Sequence, residues 1–91
     1  MSSITVRPMG HGRYAVDVRE GAITTHHKVS VPDGLLDDIG LVGADDEALV
    51  RETFAYLLDR EPVTAIGRDF PIEQAARRHE DFWDELRARL T

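Results

Sequence analysis

Arg13-Tyr14-Ala15-Val16-Asp17-Val18-Arg19-Glu20-Gly21-Ala22-Ile23-Thr24-Thr25-His26-His27-Lys28-Val29-Ser30-Val31-Pro32 is the stretch that decides the fold class. Tyr14, Val16 and Val18 alternate with Ala15, Asp17 and Arg19, and Ile23, Thr25, His27, Val29 and Val31 continue the period of two. Alternation of this kind puts one set of side chains on a buried sheet face and turns the other toward water. Glu20-Gly21 reads as a two-residue turn, because glycine adopts a positive φ at little cost. Val18 then stands opposite Ile23, Val16 opposite Thr25 and Tyr14 opposite His27, so the apolar sets agree. A three-residue turn would place Val18 against Thr24 and mix the faces.

Upstream, Ile4 and Val6 alternate with Thr5 and Arg7 until Pro8-Met9-Gly10-His11-Gly12 breaks the run, which makes a further, looser strand. Downstream, Pro32-Asp33-Gly34 ends the third strand. Leu35, Leu36, Ile39, Leu41 and Val42 follow around Asp37 and Asp38 as one short helical turn, since Gly40 and Gly43 oppose a longer helix. A helix is expected from Asp45 to about Arg60. The Asp45 side chain can accept from free amides, and Asp46 and Glu47 suit the positive end of the helix dipole. Val50, Phe54, Leu57 and Leu58 form its apolar stripe, flanked by Leu49 and Tyr56. Glu61-Pro62 stops it, and a short turn carrying Val63 and Ile66 is closed by Gly67. Ile72, Ala75, Ala76, His79, Phe82, Trp83, Leu86 and Leu90 then keep helical spacing for about five turns, with Pro71 tolerated in the first.

The 91 residues, 42% hydrophobic and 31% charged, suit one small folded domain over 1–91 and exclude the composition of a disordered chain. Eleven Lys plus Arg against seventeen Asp plus Glu leave a net charge of −6, a field that repels phosphate backbones and anionic membranes. The excess acidity falls in residues 44–67, around the first long helix. Without cysteine there is no disulfide, thiolate nucleophile, iron–sulfur cluster or Cys-rich zinc site. Met1-Ser2-Ser3-Ile4 carries neither a basic nor an apolar segment, and no run of about 18 apolar residues occurs. A cytoplasmic protein with no membrane partner is therefore expected.

His11, His26, His27 and His79 are the first candidates for chemistry, because histidine changes charge near neutral pH. His26 and His27 are adjacent on a strand and point to opposite faces, so they cannot chelate one ion together. His27 and His79, each on an apolar face, are the candidate pair for a metal or small ligand. The bland alternative gives each a hydrogen bond to Tyr14, backbone or water. Asp33, Asp37 and Asp38 lack an EF-hand spacing and read as turn formers. Gly10-His11-Gly12 lacks the Lys-Ser/Thr of a phosphate loop. No Gly-x-Ser-x-Gly occurs, which disfavours a hydrolase. Arg77, Arg78, Arg87 and Arg89 are interleaved with Glu73, Glu80, Asp81, Asp84 and Glu85 and read as a self-neutralising face.

Two resemblances enter in the middle of the chain. The run Asp46-Glu47-Ala48-Leu49-Val50-Arg51-Glu52-Thr53-Phe54-Ala55-Tyr56-Leu57-Leu58-Asp59-Arg60-Glu61-Pro62, with Ile66 and Phe70 after it, resembles a stretch of small prokaryotic proteins of unassigned function, and it implies no activity. Lys28-Val29-Ser30-Val31-Pro32-Asp33 with Leu35-Leu36, then Leu49-Val50-Arg51-Glu52, is similar in kind to the ribbon-helix-helix DNA-binding family. That likeness implies a dimeric repressor or antitoxin in which His26, Lys28 and Ser30 would enter the major groove. The chain departs from it in its glycine-broken first helix, its extra hairpin strand and its negative charge.

The expected fold is α+β: a short antiparallel meander of two or three strands followed by two main helices packed on one face. So small a sheet offers two apolar helices little area, so residual apolar surface and a homodimer or protein partner are expected, with Tyr56, Phe82, Trp83 and Leu90 as contacts. The functional expectation is a non-enzymatic interaction or regulatory module without a cofactor. Its alternatives are the ribbon-helix-helix reading and a metal or ligand domain built on His27 and His79.

Overall fold

The computed structural model describes residues 2–41 and 43–90, so Met1, Thr91 and the apolar Val42 lie outside the described residues. Its strands are β1 (Ser2–Gly10), β2 (Arg13–Glu20), β3 (Ile23–Ser30) and β4 (Asp69–Pro71), and its helices α1 (Leu35–Asp38), α2 (Asp46–Arg60), α3 (Glu73–Arg78) and α4 (Phe82–Leu90). A 3-10 turn, Val63–Ala65, separates α2 from β4. The sheet order is β1-β2-β3-β4, antiparallel through β3 and parallel between β3 and β4. This is the expected α+β class: β1 to β3 form the antiparallel meander, and β4, which was not expected, adds to it in parallel and makes the sheet mixed and four-stranded.

The alternation sorts side chains as anticipated: Val6, Val16, Val18 and Val29 are buried, while Thr5, Arg7, Arg19 and Lys28 are exposed. The hairpin register differs from the expectation. Val18 pairs with Thr25, Val16 with His27 and Tyr14 with Val29, because Gly21-Ala22, not Glu20-Gly21, forms the turn and Glu20 pairs with Ile23. A slip of two residues leaves every side chain on its own face, so polarity alone cannot detect it. The backbone decides it: the left-handed residue is Gly21, at φ 62, and it opens the turn.

Gly12 shows a stricter need for glycine. At φ 72 it lies so close to the Val31 carbonyl that a Cβ would stand 2.6 Å from the oxygen, while its own carbonyl accepts from Val31 N at 2.7 Å. The β1–β2 turn is thereby tied to the end of β3.

α2 begins where expected: the Asp45 carboxylate accepts from Ala48 N at 2.6 Å and caps the first turn. Its face of Leu49, Val50, Phe54 and Leu57 is buried in one core cluster with the strand valines. Thr53, also on that side, returns its hydroxyl to the Leu49 carbonyl at 2.8 Å.

The C-terminal segment departs most from expectation. The continuous helix is broken at His79, which is extended at φ −136 and ψ 115, leaving α3 and α4 on either side. The break lets two parts of one apolar stripe reach different surfaces: α3 stays beside β4, whereas α4 packs along α2. Pro71 belongs to β4 and not to a helical turn. Lys28 N donates to Arg68 O at 2.7 Å and Ile72 N to Ser30 O at 3.0 Å, so the proline stands on an edge strand where no N–H is required.

Stacking α4 on α2 also removes the premise of a large uncovered apolar patch. Phe82 and Leu86 are fully enclosed, and burial of each contributes about 2 to 3 kcal/mol. Among the described residues the exposed large hydrophobics are Met9 and Ile23, both at strand ends.

Candidate binding face

Helices cover one side of the sheet and leave the other bare. Reading across β1, β2 and β3, its rows are Ser3, Arg19, Thr24; then Thr5, Asp17, His26; then Arg7, Ala15, Lys28, with Asp69 of β4 completing the third. Arg13 and Ser30 pair in the next row. Arg7, Arg13, Arg19 and Lys28 thus share one face with only Asp17 and Asp69, in a chain whose net charge is −6. A shallow depression of about 380 Å³ lies on this side, lined by Arg7, Ala15, Asp17, His26, His27, Lys28, Arg68 and Asp69.

Asp17 is engaged within the face. His26 Nδ1 donates to Asp17 Oδ1 at 2.7 Å and Arg7 to Oδ2 at 3.1 Å. The hydrogen bond from His26, with Arg7 beside it, holds the Asp17 carboxyl below its usual range. Arg13, Arg19, Lys28 and Arg68 are exposed and form no ion pair among the described residues. The helical side is different: Arg51 meets Glu47, Arg60 meets Asp81, Arg78 meets Glu61, Arg87 meets Asp84, and Arg89 meets Asp59. The neutralised helical surface was expected, although α2 supplies several partners. Arg77 stays unpaired there among the described residues.

His27 and His79 have separate hydrogen-bond partners. The His27 ring, 3% exposed, donates from Nδ1 to the Gly67 carbonyl at 2.7 Å, and its Nε2 is hydrogen-bonded to the Thr25 hydroxyl at 2.8 Å. Its ring packs against Phe54 at 5.2 Å. A hydroxyl, an imidazole and a third group therefore lie in line, but that third group is a carbonyl, which orients the ring without the charge a triad carboxylate supplies. His79 Nε2 donates to Glu61 Oε2 at 2.9 Å, and the nearly buried Glu61 carboxylate also takes Arg78 at 2.6 Å. Among the described residues no group of three or more His, Cys, Asp or Glu side chains is placed to hold a metal ion.

The aromatic contacts expected at an interface lie largely inside. Tyr56 and Phe82 are fully buried, with their rings edge to face at 5.2 Å, so no partner can reach them in the folded chain. The Tyr56 hydroxyl donates to Asp81 Oδ1 at 2.6 Å, Arg60 donates to Asp81 Oδ2 at 3.0 Å, and the Arg60 guanidinium lies 3.8 Å from the Tyr56 ring centre. Burial and the bond to Asp81 push the phenol up to about 12. Trp83 and Leu90 are half-buried against the core. A niche of about 10 Å³ between Leu57, Ile66, Phe70 and Ala75 holds at most one water.

His26, Lys28 and Ser30 do line the open side of β3, as the ribbon-helix-helix likeness requires. The segment Lys28–Ser30 is, however, flanked by β2 on one edge and β4 on the other. A second copy therefore has no free edge there on which to build the intermolecular ribbon of that family. Charge taken along segments of the chain hides Arg7, Arg13 and Arg19, whereas strand parity puts them on one face with Lys28; Arg68 precedes β4, and no periodicity in the sequence places it there.

No family model, curated protein or solved structure matches the chain. Among the described residues no helix is long and apolar enough to cross a membrane.

Proposed function

We propose that the chain is a non-enzymatic interaction module that works through the uncovered face of its sheet. The observation that carries this reading is the two-sided charge arrangement: cations on the helical side are mostly spent on carboxylates of the same chain, whereas on or beside the open face Arg7 alone is bound, to Asp17, and Arg13, Arg19, Lys28 and Arg68 form no ion pair among the described residues. Unpaired charge gathered on one rigid surface favours encounter and register with a complementary partner. The reading keeps the interaction module expected from the sequence and moves its surface from the helices to the sheet.

Photo-cross-linking in cells tests it. A photoreactive residue replacing Thr5 or Thr24, both exposed on the open face, should give a discrete adduct, and one replacing Ala88 of α4 should not. Adducts from Ala88 alone, or none from Thr5 and Thr24, would refute the reading. An adduct of twice the chain mass would identify the partner as a second copy.

A further inference from the structure

We infer that the open face takes an acidic segment of a partner protein. This rests on the module reading above and adds the chemistry of the occupant. Charge complementarity is the ground for it. Arg13, Arg19, Lys28 and Arg68 are exposed, lie on or beside one sheet face and form no ion pair among the described residues. Rows of alternate residues repeat about every 6.8 Å along the strands, so Arg13 stands one row from Lys28 and Arg19 two rows beyond it, with the Asp17–His26 row between, and carboxylates of one extended polypeptide can reach Arg13, Lys28 and Arg19 in turn. The opposing carboxylate Asp17 is already occupied by His26 and Arg7 and does little to repel an anionic arrival.

Nucleic acid would offer the same sign of charge, but three observations favour a polypeptide. Outward positions of β1 to β3 are Ser, Thr, Ala, Arg, Asp, His and Lys, with no Phe, Tyr or Trp on which a base could stack. Asp69, which forms no ion pair among the described residues, interrupts the row of Lys28, which suits a short acidic segment better than a continuous phosphate backbone. The remainder of the chain is strongly acidic and would oppose a long polyanion extending past the face.

A fluorescent ten-residue peptide of alternating Glu and Ser, titrated with the whole chain at low and moderate ionic strength, reads this out. Saturable, salt-sensitive binding is expected. Arg19→Glu with Lys28→Glu should weaken it by about tenfold or more, while Arg77→Glu on α3 should leave it within about twofold. All these positions are exposed, and unchanged Trp83 fluorescence shows that each variant remains folded. Absent peptide binding, or binding indifferent to Arg19 and Lys28, overturns the inference. An oligothymidylate of equal length that binds more tightly and displaces the peptide overturns it in favour of nucleic acid. Discrete adducts from Thr5 and Thr24 without peptide binding would sink the acidic partner and leave the module reading standing. Loss of both results would sink the two together.

Discussion

Replacing Tyr56 by Phe removes one oxygen from a fully buried ring and leaves the packing against Phe82 and His79 in place. The lost group is the donor to Asp81 at 2.6 Å, a bond to a charged acceptor. Such bonds contribute about 1.5 to 3 kcal/mol, and the value here should lie at the lower end because Asp81 is 56% exposed and keeps Arg60 at 3.0 Å. A loss of about 1.5 kcal/mol at neutral pH is therefore expected. The pH dependence gives an independent check. The Tyr56 phenol is raised from 10.0 to about 12 in the folded chain, so its contribution is complete below pH 10 and disappears as pH rises toward 12. Wild type should lose its advantage over Tyr56→Phe across that window. Urea unfolding followed by Trp83 fluorescence at pH 7, 9, 10 and 11 measures both effects. Trp83 is the chain's single tryptophan and packs at 4.8 Å from Phe82, beside the substituted ring. A variant within 0.5 kcal/mol of wild type at pH 7, or a gap that persists unchanged at pH 11, would refute the hydrogen-bond reasoning.

Two further perturbations test the backbone. Gly12→Ala should destabilise by about 2 kcal/mol or more, because a positive φ and a backbone oxygen 2.6 Å from the new Cβ add together; Gly21→Ala, at φ 62 in open space, should cost only about 1 kcal/mol. Equal unfolding midpoints for the two variants would count against the close approach of Gly12 to Val31. Asp45→Ala should lose about 1 kcal/mol by removing the acceptor for Ala48 N, and Asp45→Ser should recover most of it in the same urea titration.

The open basic face was partly legible in the sequence. Alternation around Val16 and Val18 already turned Arg13, Arg19 and Lys28 to one side, since side-chain parity follows from the extended backbone alone. The contribution of β4 was not legible. Asp69-Phe70-Pro71 is too short to show a period, and Pro71 fits an edge strand and a first helical turn equally well, because neither needs its missing N–H. His27 was legible as an inward histidine and not as a bond to Gly67, whose partner lies 40 residues away in sequence.

By itself, the sequence determined what local chemistry can specify: the extended hairpin, the Asp45 cap, the span of α2 and which side of each strand meets water. These depend on neighbours a few residues apart. The tertiary structure alone decided the two-residue shift in register, the parallel addition of β4, the break at His79 and the enclosure of Tyr56 and Phe82. A slip of two preserves polarity, and a continuous apolar stripe is compatible with one helix or two. Only the competing surfaces of β4 and α2, with Glu61 and Asp81 receiving His79 and Tyr56, select between those alternatives.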